Sequence, residues 1–342
     1  MRGKMHFRGM LGILAMAAAP AAAQAADFFK GRTVTVVSPA DPGGSYDLYA
    51  RLVATHLVKH LPGNPSGIVQ NMPGAGGLRA INHLYSIAPK DGTMLQIPVQ
   101  DIALSEALGR EGVDFKVSNL TWIGRIAPSV DLQITWGARN IRSIEEVKKR
   151  EVTIAATGPN SPTSLNPMVL NALIGTKFKL ISGYKSNAEM SAAMERGETD
   201  GAFATWATMK TAFPGWIRDR QINYLVVYTA ERIPELADVP AVTELAAGKM
   251  EKPILALLAS TGTLGRSLVT APGVDPARVG ELRNAFDTMV KDPAFLADVQ
   301  RLNIEFGPLS GADTQKAISA MFDVDPSVIA RTREIVQTAI KR

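Results

Sequence analysis

Two loops, each of which follows a short run of β-branched residues, have the composition of an anion site. The first is Pro42-Gly43-Gly44-Ser45-Tyr46-Asp47, after the run Thr33–Ser38. Glycine lets the backbone turn sharply and lets a ligand approach closely. The first amides of the helix that follows have no partner within the helix, and they favour an anion. Ser45 and Asp47 would also suit plain helix capping, so this motif alone leaves both interpretations open.

The second loop is Thr157-Gly158-Pro159-Asn160-Ser161-Pro162-Thr163-Ser164, after the apolar run Val152–Ala156. It contains four hydroxyl side chains and no acid, which suits a carboxylate or a phosphate group. A third glycine-rich turn, Pro73-Gly74-Ala75-Gly76-Gly77, precedes another predicted helix. It is typical of tight turn packing or of a ligand that approaches the backbone.

The residues that other chemistries need are missing. The chain has no cysteine, which excludes a disulfide scaffold, a zinc–thiolate site and a cysteine nucleophile. His56 and His60 have the i, i+4 spacing of a metal pair but lack the glutamate of H-E-x-x-H, so a surface or partly packed pair is expected. The chain also lacks the G-x-S-x-G nucleophile motif and a Walker loop. We therefore predict neither a cofactor nor a metal ion, and no enzymatic activity.

The N-terminus has the pattern of an export signal. Arg2, Lys4 and Arg8 precede an apolar run of roughly 14 residues, which is shorter than the ~20 needed to span a membrane. Ala23-Gln24-Ala25 fits the A-x-A cleavage pattern, so we expect cleavage near Ala25. An uncleaved membrane anchor is the alternative. Removing three basic groups from a chain with 37 Lys+Arg and 32 Asp+Glu leaves about +2, which argues against a nucleic-acid partner.

Short strands alternate with helical segments along the remaining chain, which predicts an α/β fold built from mostly parallel sheets. A length of 342 residues suggests about two domains. Two such domains with a cleft between them are the natural arrangement.

Further motifs occur in a fixed order along the chain. They are Gln70–Gly77, Ala88–Thr93 (A-P-x-D-G-x), Gly183-Tyr184-Lys185, Gly197–Phe203 (G-x-x-D-x-x-F) and Lys291–Phe295. Together with the signal peptide and the loop at Pro42–Asp47, they resemble the extracytoplasmic receptors of tripartite tricarboxylate transporters, the Bug-type solute-binding proteins. The resemblance spans nearly the whole mature chain.

The resemblance implies a two-domain periplasmic binding protein, type II-like, that closes around a small organic carboxylate. Domain 1 would comprise residues 26–127 plus 253–342, and domain 2 residues 128–252, after a signal peptide at 1–25. In the family, ligand carboxylates lie between two loops, which match Ser38–Asp47 and Thr157–Ser164 here. Two helix N-termini at one cleft would hold both ends of a dicarboxylate without an arginine clamp.

Departures from the family pattern indicate where selectivity would arise. Met72 stands where many relatives have arginine, and Gly183 precedes Tyr184 where many have proline. Gln100 and Asp101 replace small polar residues, and Trp206 ends a strand that often faces the cleft. Asp101 would favour a cationic or hydroxylated ligand portion over a trianion. The predicted ligand residues are Ser38, Asp41, Gly43, Gly44, Ser45, Tyr46, Asp47, Gly76, Gln100, Asp101, Gly158, Ser161, Thr163, Ser164, Tyr184, Thr205 and Trp206.

We therefore expect a monomeric periplasmic receptor that captures a small organic carboxylate and delivers it to the membrane permease subunits of a tripartite transporter. One alternative is a sensing protein that signals to a membrane sensor kinase. The other is a periplasmic hydrolase of small esters, for which the sequence shows no nucleophile–base pair.

Overall fold

The structure is a computed structural model that describes residues 28–158, 161–184, 187–322 and 324–340. The predicted signal peptide lies outside these residues. None of the helices in the described ranges is long and apolar enough to cross a membrane.

The described elements comprise eleven strands, thirteen α-helices and several short 3-10 turns. The strands are β1 Thr33–Ser38, β2 Ser66–Asn71, β3 Met94–Gln96, β4 Thr121–Ala127, β5 Asp131–Trp136, β6 Val152–Ala156, β7 Phe178–Ser182, β8 Gly201–Thr205, β9 Ile222–Val227, β10 Arg266–Thr270 and β11 Leu309–Ser310. The helices are α1 Ser45–His56, α2 Leu78–Ser86, α3 Ile102–Ala107, α4 Ile144–Lys149, α5 Pro162–Ile174, α6 Asn187–Glu195, α7 Trp206–Ala212, α8 Pro214–Arg218, α9 Glu251–Leu264, α10 Pro276–Met289, α11 Pro293–Arg301, α12 Gly311–Phe322 and α13 Pro326–Ile340.

The strands form two sheets, as the α/β prediction requires. The first has the order β11-β4-β10-β3-β1-β2, and the second has the order β7-β6-β8-β5-β9. Hydrophobic side chains such as Val34 and Val36 of β1 are fully buried against helices of the first sheet, and Ile154 of β6 is fully buried in the second. The predicted fold class is confirmed.

Both sheets are mixed, whereas the sequence pattern predicts mostly parallel ones. β1 runs parallel to β2 and β3, but β10 is antiparallel to β3 and β4. In the second sheet β6 runs parallel to β7 and β8, while β5 is antiparallel to β8 and β9. The chain leaves the first sheet at the end of β4 and re-enters it at the start of β10. Because both events occur at one edge, these two strands must run in opposite directions.

The same connections bring two sheet edges face to face. One edge holds the carboxyl ends of β1 and β3 with the start of β10. The other holds the carboxyl ends of β6 and β8 with the start of β5, since Asp131 pairs with Thr205. Only Pro128, Ser129 and Val130 separate β4 from β5. Ligands of open α/β sheets bind outside the carboxyl ends of strands, so these facing edges are the place to look for a site.

The segment after Pro253 contributes to both halves of the molecule. It supplies β10 and β11 to the first sheet. Its helices α9 and α13, through Ile254, Leu258 and Ile335, join the apolar cluster that contains Ile154 and other residues of the second sheet. The predicted assignment of residues 253–342 to the first domain stays a prediction, and helix packing alone would divide the segment differently.

Gly67 in β2 is required by close packing, which generates a first prediction. A Cβ at this position would overlap the backbone carbonyl oxygen of Ala54 in α1, whereas at Gly280 in α10 it would meet nothing within 4 Å. We expect Gly67→Ala to lower the free energy of unfolding by ~1–3 kcal/mol. Gly280→Ala, the matched control, should raise it by ~0.5–1 kcal/mol. Urea unfolding followed by circular dichroism measures both, and equal effects would contradict the packing argument.

Candidate functional site

Seven of the predicted ligand residues belong to one segment at the end of β1. They are Ser38, Asp41, Gly43, Gly44, Ser45, Tyr46 and Asp47. Ser38 is fully buried and its hydroxyl bonds with the backbone of Ala40, whereas Asp41, Gly43 and Gly44 are exposed. Gly44 is the residue before the first turn of α1.

Asp47 holds this segment in shape. Its carboxylate accepts hydrogen bonds from the Gly43 amide at 3.0 Å, from Arg51 Nε at 2.8 Å and from Asn71 Nδ2 at 2.9 Å. Gly43 has a φ of +88°, a conformation that L side chains rarely adopt. Burial opposes ionisation of Asp47, but these donors outweigh it and lower its pKa. Asp47 therefore holds the loop in shape through these hydrogen bonds, and its role as a ligand residue stays a prediction.

Arg266, the first residue of β10, contacts this segment. Its Nε and Nη2 each lie 3.2 Å from Ser45 Oγ, and its guanidinium lies 4.2 Å from the centre of the Tyr46 ring. The side chain is only 5% exposed. A planar guanidinium that stacks on an aromatic face is restrained in orientation. The absence of an arginine clamp was expected from sequence, yet a buried arginine lies beside Ser45.

Gln100 connects Arg266 to the second sheet. Its Oε1 accepts a hydrogen bond from Arg266 Nη1 at 3.1 Å, and its Nε2 donates to Asp131 Oδ2. The Gln100 backbone amide donates to the Tyr46 hydroxyl at 3.2 Å. We call Ser45, Tyr46, Gln100, Asp131 and Arg266 the junction cluster. It joins the facing edges of the two sheets.

Burial dominates the electrostatics of the junction cluster. Desolvation raises the pKa of Asp131 to about 6, against opposing effects of Gln100 and Arg266. Burial likewise raises the pKa of Tyr46. Burial raises the pKa of Glu305 to about 7. The charges of Lys210 and Arg266 oppose this rise, whereas that of Asp131 adds to it. The junction thus carries one fixed cation surrounded by carboxyl groups that are costly to ionise.

The second loop identified in the sequence, Thr157–Ser164, is called the hydroxyl loop from here on. It follows β6 at the facing edge of the second sheet. Thr163 Oγ1 accepts from the Thr157 amide at 2.9 Å, and Ser161 Oγ donates to the Gly158 carbonyl at 2.9 Å. Ser164 is fully buried, and its Oγ has no hydrogen-bond partner among the described residues. Pro159 and Asn160, between these residues, lie outside the described ranges. The loop therefore holds a buried hydroxyl group whose bonding is incomplete.

Thr205 and Trp206 end β8 at this same edge. Thr205 Oγ1 caps α7 by accepting from the Thr208 amide at 3.2 Å. The Trp206 amide donates to the Val130 carbonyl at 2.8 Å, which ties this strand end to the connection between the sheets. The Trp206 indole is 6% exposed, and its Nε1 lacks a partner among the described residues.

Three further predicted residues, Gly76, Asp101 and Tyr184, have neighbours that do not belong to the junction cluster. Asp101 pairs with Arg110 at 3.0 Å, and Gly76 lies near the same arginine. Tyr184 hydrogen-bonds with Glu198, and burial followed by the charge of Glu198 raises its pKa. Although Asp101 follows Gln100 directly, its carboxylate already has a cationic partner. The acid that bonds to Gln100 within the junction cluster is Asp131 instead.

Asp131 and Arg266 are the residues that sequence reasoning missed. Each is a lone charged residue that begins an otherwise uncharged strand, Asp131-Leu132-Gln133-Ile134 and Arg266-Ser267-Leu268-Val269. Charged residues are almost never fully buried unless they are paired. A single charge at the start of an uncharged strand was therefore a usable signal for a buried charged residue at this sheet edge.

The histidine pair has a structural role. His56 Nε2 lies 2.9 Å from Asp298 Oδ2, and His60 Nε2 lies 3.0 Å from Asp292 Oδ2. These contacts attach the region of α1 to α11. Within the described ranges, no group of three or more histidine, aspartate or glutamate residues is placed to hold a metal ion. A groove of about 580 Å³ near His60 contains none of the predicted ligand residues.

The raised pKa of Asp131 generates a prediction about stability. Its folded pKa of about 6 exceeds its ordinary value of 3.8, so the folded state binds more protons between these values. The free energy of unfolding therefore falls as pH rises from about 4 to about 6, by up to ~3 kcal/mol. In Asp131→Asn this contribution should be absent. Thermal unfolding from pH 4 to pH 7 measures the difference between the two proteins.

Asp200→Asn is the control for the loss of one carboxylate. Asp200 lies at the opposite edge of the second sheet, where it accepts from the Thr153 amide at 2.9 Å. In Asp200→Asn the free energy of unfolding should still fall as pH rises from about 4 to about 6, as it does in the wild type. Parallel profiles for wild type and Asp131→Asn would show that Asp131 does not titrate in this range.

Comparisons with known proteins identify the family of the chain. The family described as "Tripartite tricarboxylate transporter family receptor" matches residues 49–333. A Cupriavidus necator protein described as the UPF0065 protein in the gbd 5′ region is 26% identical over 316 residues, which cover 88% of this chain and 89% of that protein. A UPF0065 protein of Agrobacterium vitis is 28% identical over 299 residues, which cover 85% of this chain and 80% of that protein.

Solved structures share the fold. The periplasmic binding protein BugD superposes with a TM-score of 0.65 at 19% identity, covering 90% of this chain and 97% of that chain. An R. palustris protein solved with adipate gives 0.65 at 22% identity, with 90% and 97% covered. MatC from Rhodopseudomonas palustris, with bound malate, gives 0.64 at 19% identity, with 89% and 99% covered. The family match includes strands of both sheets, and the chain therefore belongs to the receptor family of tripartite tricarboxylate transporters, as its motifs indicate.

Proposed function

We propose that this receptor captures a small organic carboxylate between the facing edges of its two sheets, in the periplasm, and delivers it to a membrane permease. The observation that carries the proposal is the buried Arg266 beside Ser45, at the first turn of α1. A helix N-terminus and a guanidinium both favour an anion, and together they suit a carboxylate. The hydroxyl loop at the opposite edge would supply neutral donors.

The structural relatives support the ligand class. One is described with adipate and another with malate, and both of these are small carboxylates. We extend to this chain only the class, an organic carboxylate. In this proposal the ligand residues come from the segment Ser38–Asp47, from Gln100 and from the hydroxyl loop, with Arg266 and Asp131 added.

Closure would be a hinge motion at the two places where the chain passes between the sheets. The Ser129 amide donates to the Gly262 carbonyl at 2.9 Å, and Gly265 packs directly on Pro128. The connection between β4 and β5 therefore packs against the end of α9 and the residue before β10, where the chain re-enters the first sheet. We propose domain 1 as residues 26–127 plus 253–342 and domain 2 as residues 128–252, with α9 and α13 packed across this division.

We propose that binding is not followed by chemistry. The hydroxyl groups of Ser161 and Thr163 bond with each other and with neighbouring backbone. His56 and His60, which would be candidate general bases, are instead bonded to acids of α11 and the residue before it. An activated hydroxyl nucleophile needs an adjacent base, and these histidines do not serve the loop.

The test is ligand binding by the purified protein after denaturation and refolding, which removes any molecule carried from the cell. A panel of mono- and dicarboxylates, hydroxy acids and amino acids is screened by thermal shift. A ligand at 100 times its dissociation constant should stabilise the protein by about 2.7 kcal/mol. Mass spectrometry of the material released on denaturation identifies a co-purified ligand. If no carboxylate binds and none is released, the proposed function is wrong.

Ser45→Ala provides a residue-level prediction. Removing this hydroxyl takes one oxygen from beside Arg266 and one donor from the proposed carboxylate site. We expect the dissociation constant of the bound carboxylate to rise about tenfold, the effect of one good hydrogen bond. Ser319→Ala is the matched control, because Ser319 is exposed on α12 and bonds only to its own helix. Titration calorimetry measures both, and equal affinities would remove Ser45 from the site.

A further inference from the structure

Arg266 is a buried cation that forms no ion pair within the described chain. Its Nε and Nη2 both point to the single oxygen of Ser45. This edge of a guanidinium has two parallel N–H groups, which match the two oxygens of a carboxylate. A neutral hydroxyl satisfies the edge only in part. The acids nearest to Arg266, Asp131 and Glu305, act on it only through space. The edge is therefore suited to receive an anion from outside the chain.

Asp131 is a buried anion in the same cluster, and it too has no ion-pair partner among the described residues. Its side chain is 1% exposed. One carboxylate oxygen accepts from the Ser129 hydroxyl at 3.2 Å and the other from the Gln100 amide. Both donors are neutral. A carboxylate in this position attracts a hydroxyl or ammonium group and repels a second carboxylate.

The side-chain amide of Gln100 lies between the cation of Arg266 and the anion of Asp131, and it bonds to both. Its oxygen faces Arg266 and its nitrogen faces Asp131. The amide thus places an acceptor on the arginine side and a donor on the aspartate side. A ligand that lies along the same direction needs the same pattern, with an anionic acceptor at one end and a donor at the other.

We infer that the site takes a monocarboxylate that also carries an amino or hydroxyl group, with its carboxylate on Arg266 and Ser45 and its donor group on Asp131. The inference rests on the proposed function and narrows its ligand class. A dicarboxylate would bring its second negative charge beside Asp131, close also to Glu305. Arg266 and Asp131 are then the residues that set ligand selectivity.

The experiment compares ligands of one chain length. Glutarate is measured against pentanoates that carry an amino or a hydroxyl group at carbon 2 or carbon 5, by titration calorimetry at neutral pH. We expect at least one of the substituted monocarboxylates to bind about tenfold or more tightly than glutarate. Butanoates against succinate repeat the comparison with a shorter chain.

Variants assign the selectivity to residues. Asp131→Asn should shift the affinity ratio toward glutarate by about tenfold or more, because the repulsive charge is removed. Arg266→Gln should weaken every carboxylate by about 30-fold or more. Arg266→Lys keeps the charge but loses the forked edge, so it should retain part of the affinity. Asp200→Asn should leave the ratio unchanged, and circular dichroism checks that each variant is folded.

The outcomes separate this inference from the receptor function. If carboxylates bind and the ratio is unaffected by Asp131→Asn, or if both Arg266 variants bind as the wild type does, the inference is wrong and the receptor function stands. A wild type that prefers glutarate also overturns it. If no carboxylate of the wider panel binds, the receptor function fails and the inference fails with it.

Discussion

The side-chain amide of Gln100, held between the Arg266 guanidinium and the Asp131 carboxylate, is the interaction on which the junction of the two sheets depends. Gln100 follows β3, Asp131 begins β5 and Arg266 begins β10, so one amide connects two strands of the first sheet with the first strand of the second sheet. Burying either charge alone would be costly. The amide bonds to both charged groups, and within the described residues they form no direct ion pair with each other.

The backbone topology alone determines which strand ends and helix starts lie at the two facing edges. β4 ends and β10 begins at one sheet edge, and β5 begins at the edge that faces it. Helix α1 starts at the first edge, and α5 starts after the hydroxyl loop at the second. The start of α1 and the buried Arg266 thus lie at one facing edge, and the start of α5 and a set of hydroxyl groups lie at the other.

Much of the local structure was predictable, because it depends on residues close in sequence. β1, β6 and β8 occur where β-branched or apolar runs predict them, and the loops at Ser45 and Ser161 precede helices as expected. The direction of each strand within its sheet was not predictable, because the same apolar run fits a parallel and an antiparallel neighbour. Nor were the roles of Arg266 and Asp131, because the burial of a charge depends on a partner far along the chain: 166 residues separate Arg266 from Gln100. Asp101 shows that closeness in sequence is not sufficient either. It directly follows Gln100, yet its carboxylate pairs with Arg110 and not with a residue of the junction cluster.

The two connecting segments lie against each other, with Gly265 packed on Pro128 and Ser129 bonded to Gly262. If closure is a hinge motion at this place, the rotation would be about a line that passes close to this contact, and α9 and α13, which pack across the division, would limit its extent. Residues near the line, such as Asp131 and Arg266, would move little during rotation, while those of the hydroxyl loop would sweep through a longer arc. The base of the cleft would then bind one end of the ligand in nearly the same geometry at every angle of rotation, and it would select that end by its chemical group. The angle of rotation would adjust to the length of the rest.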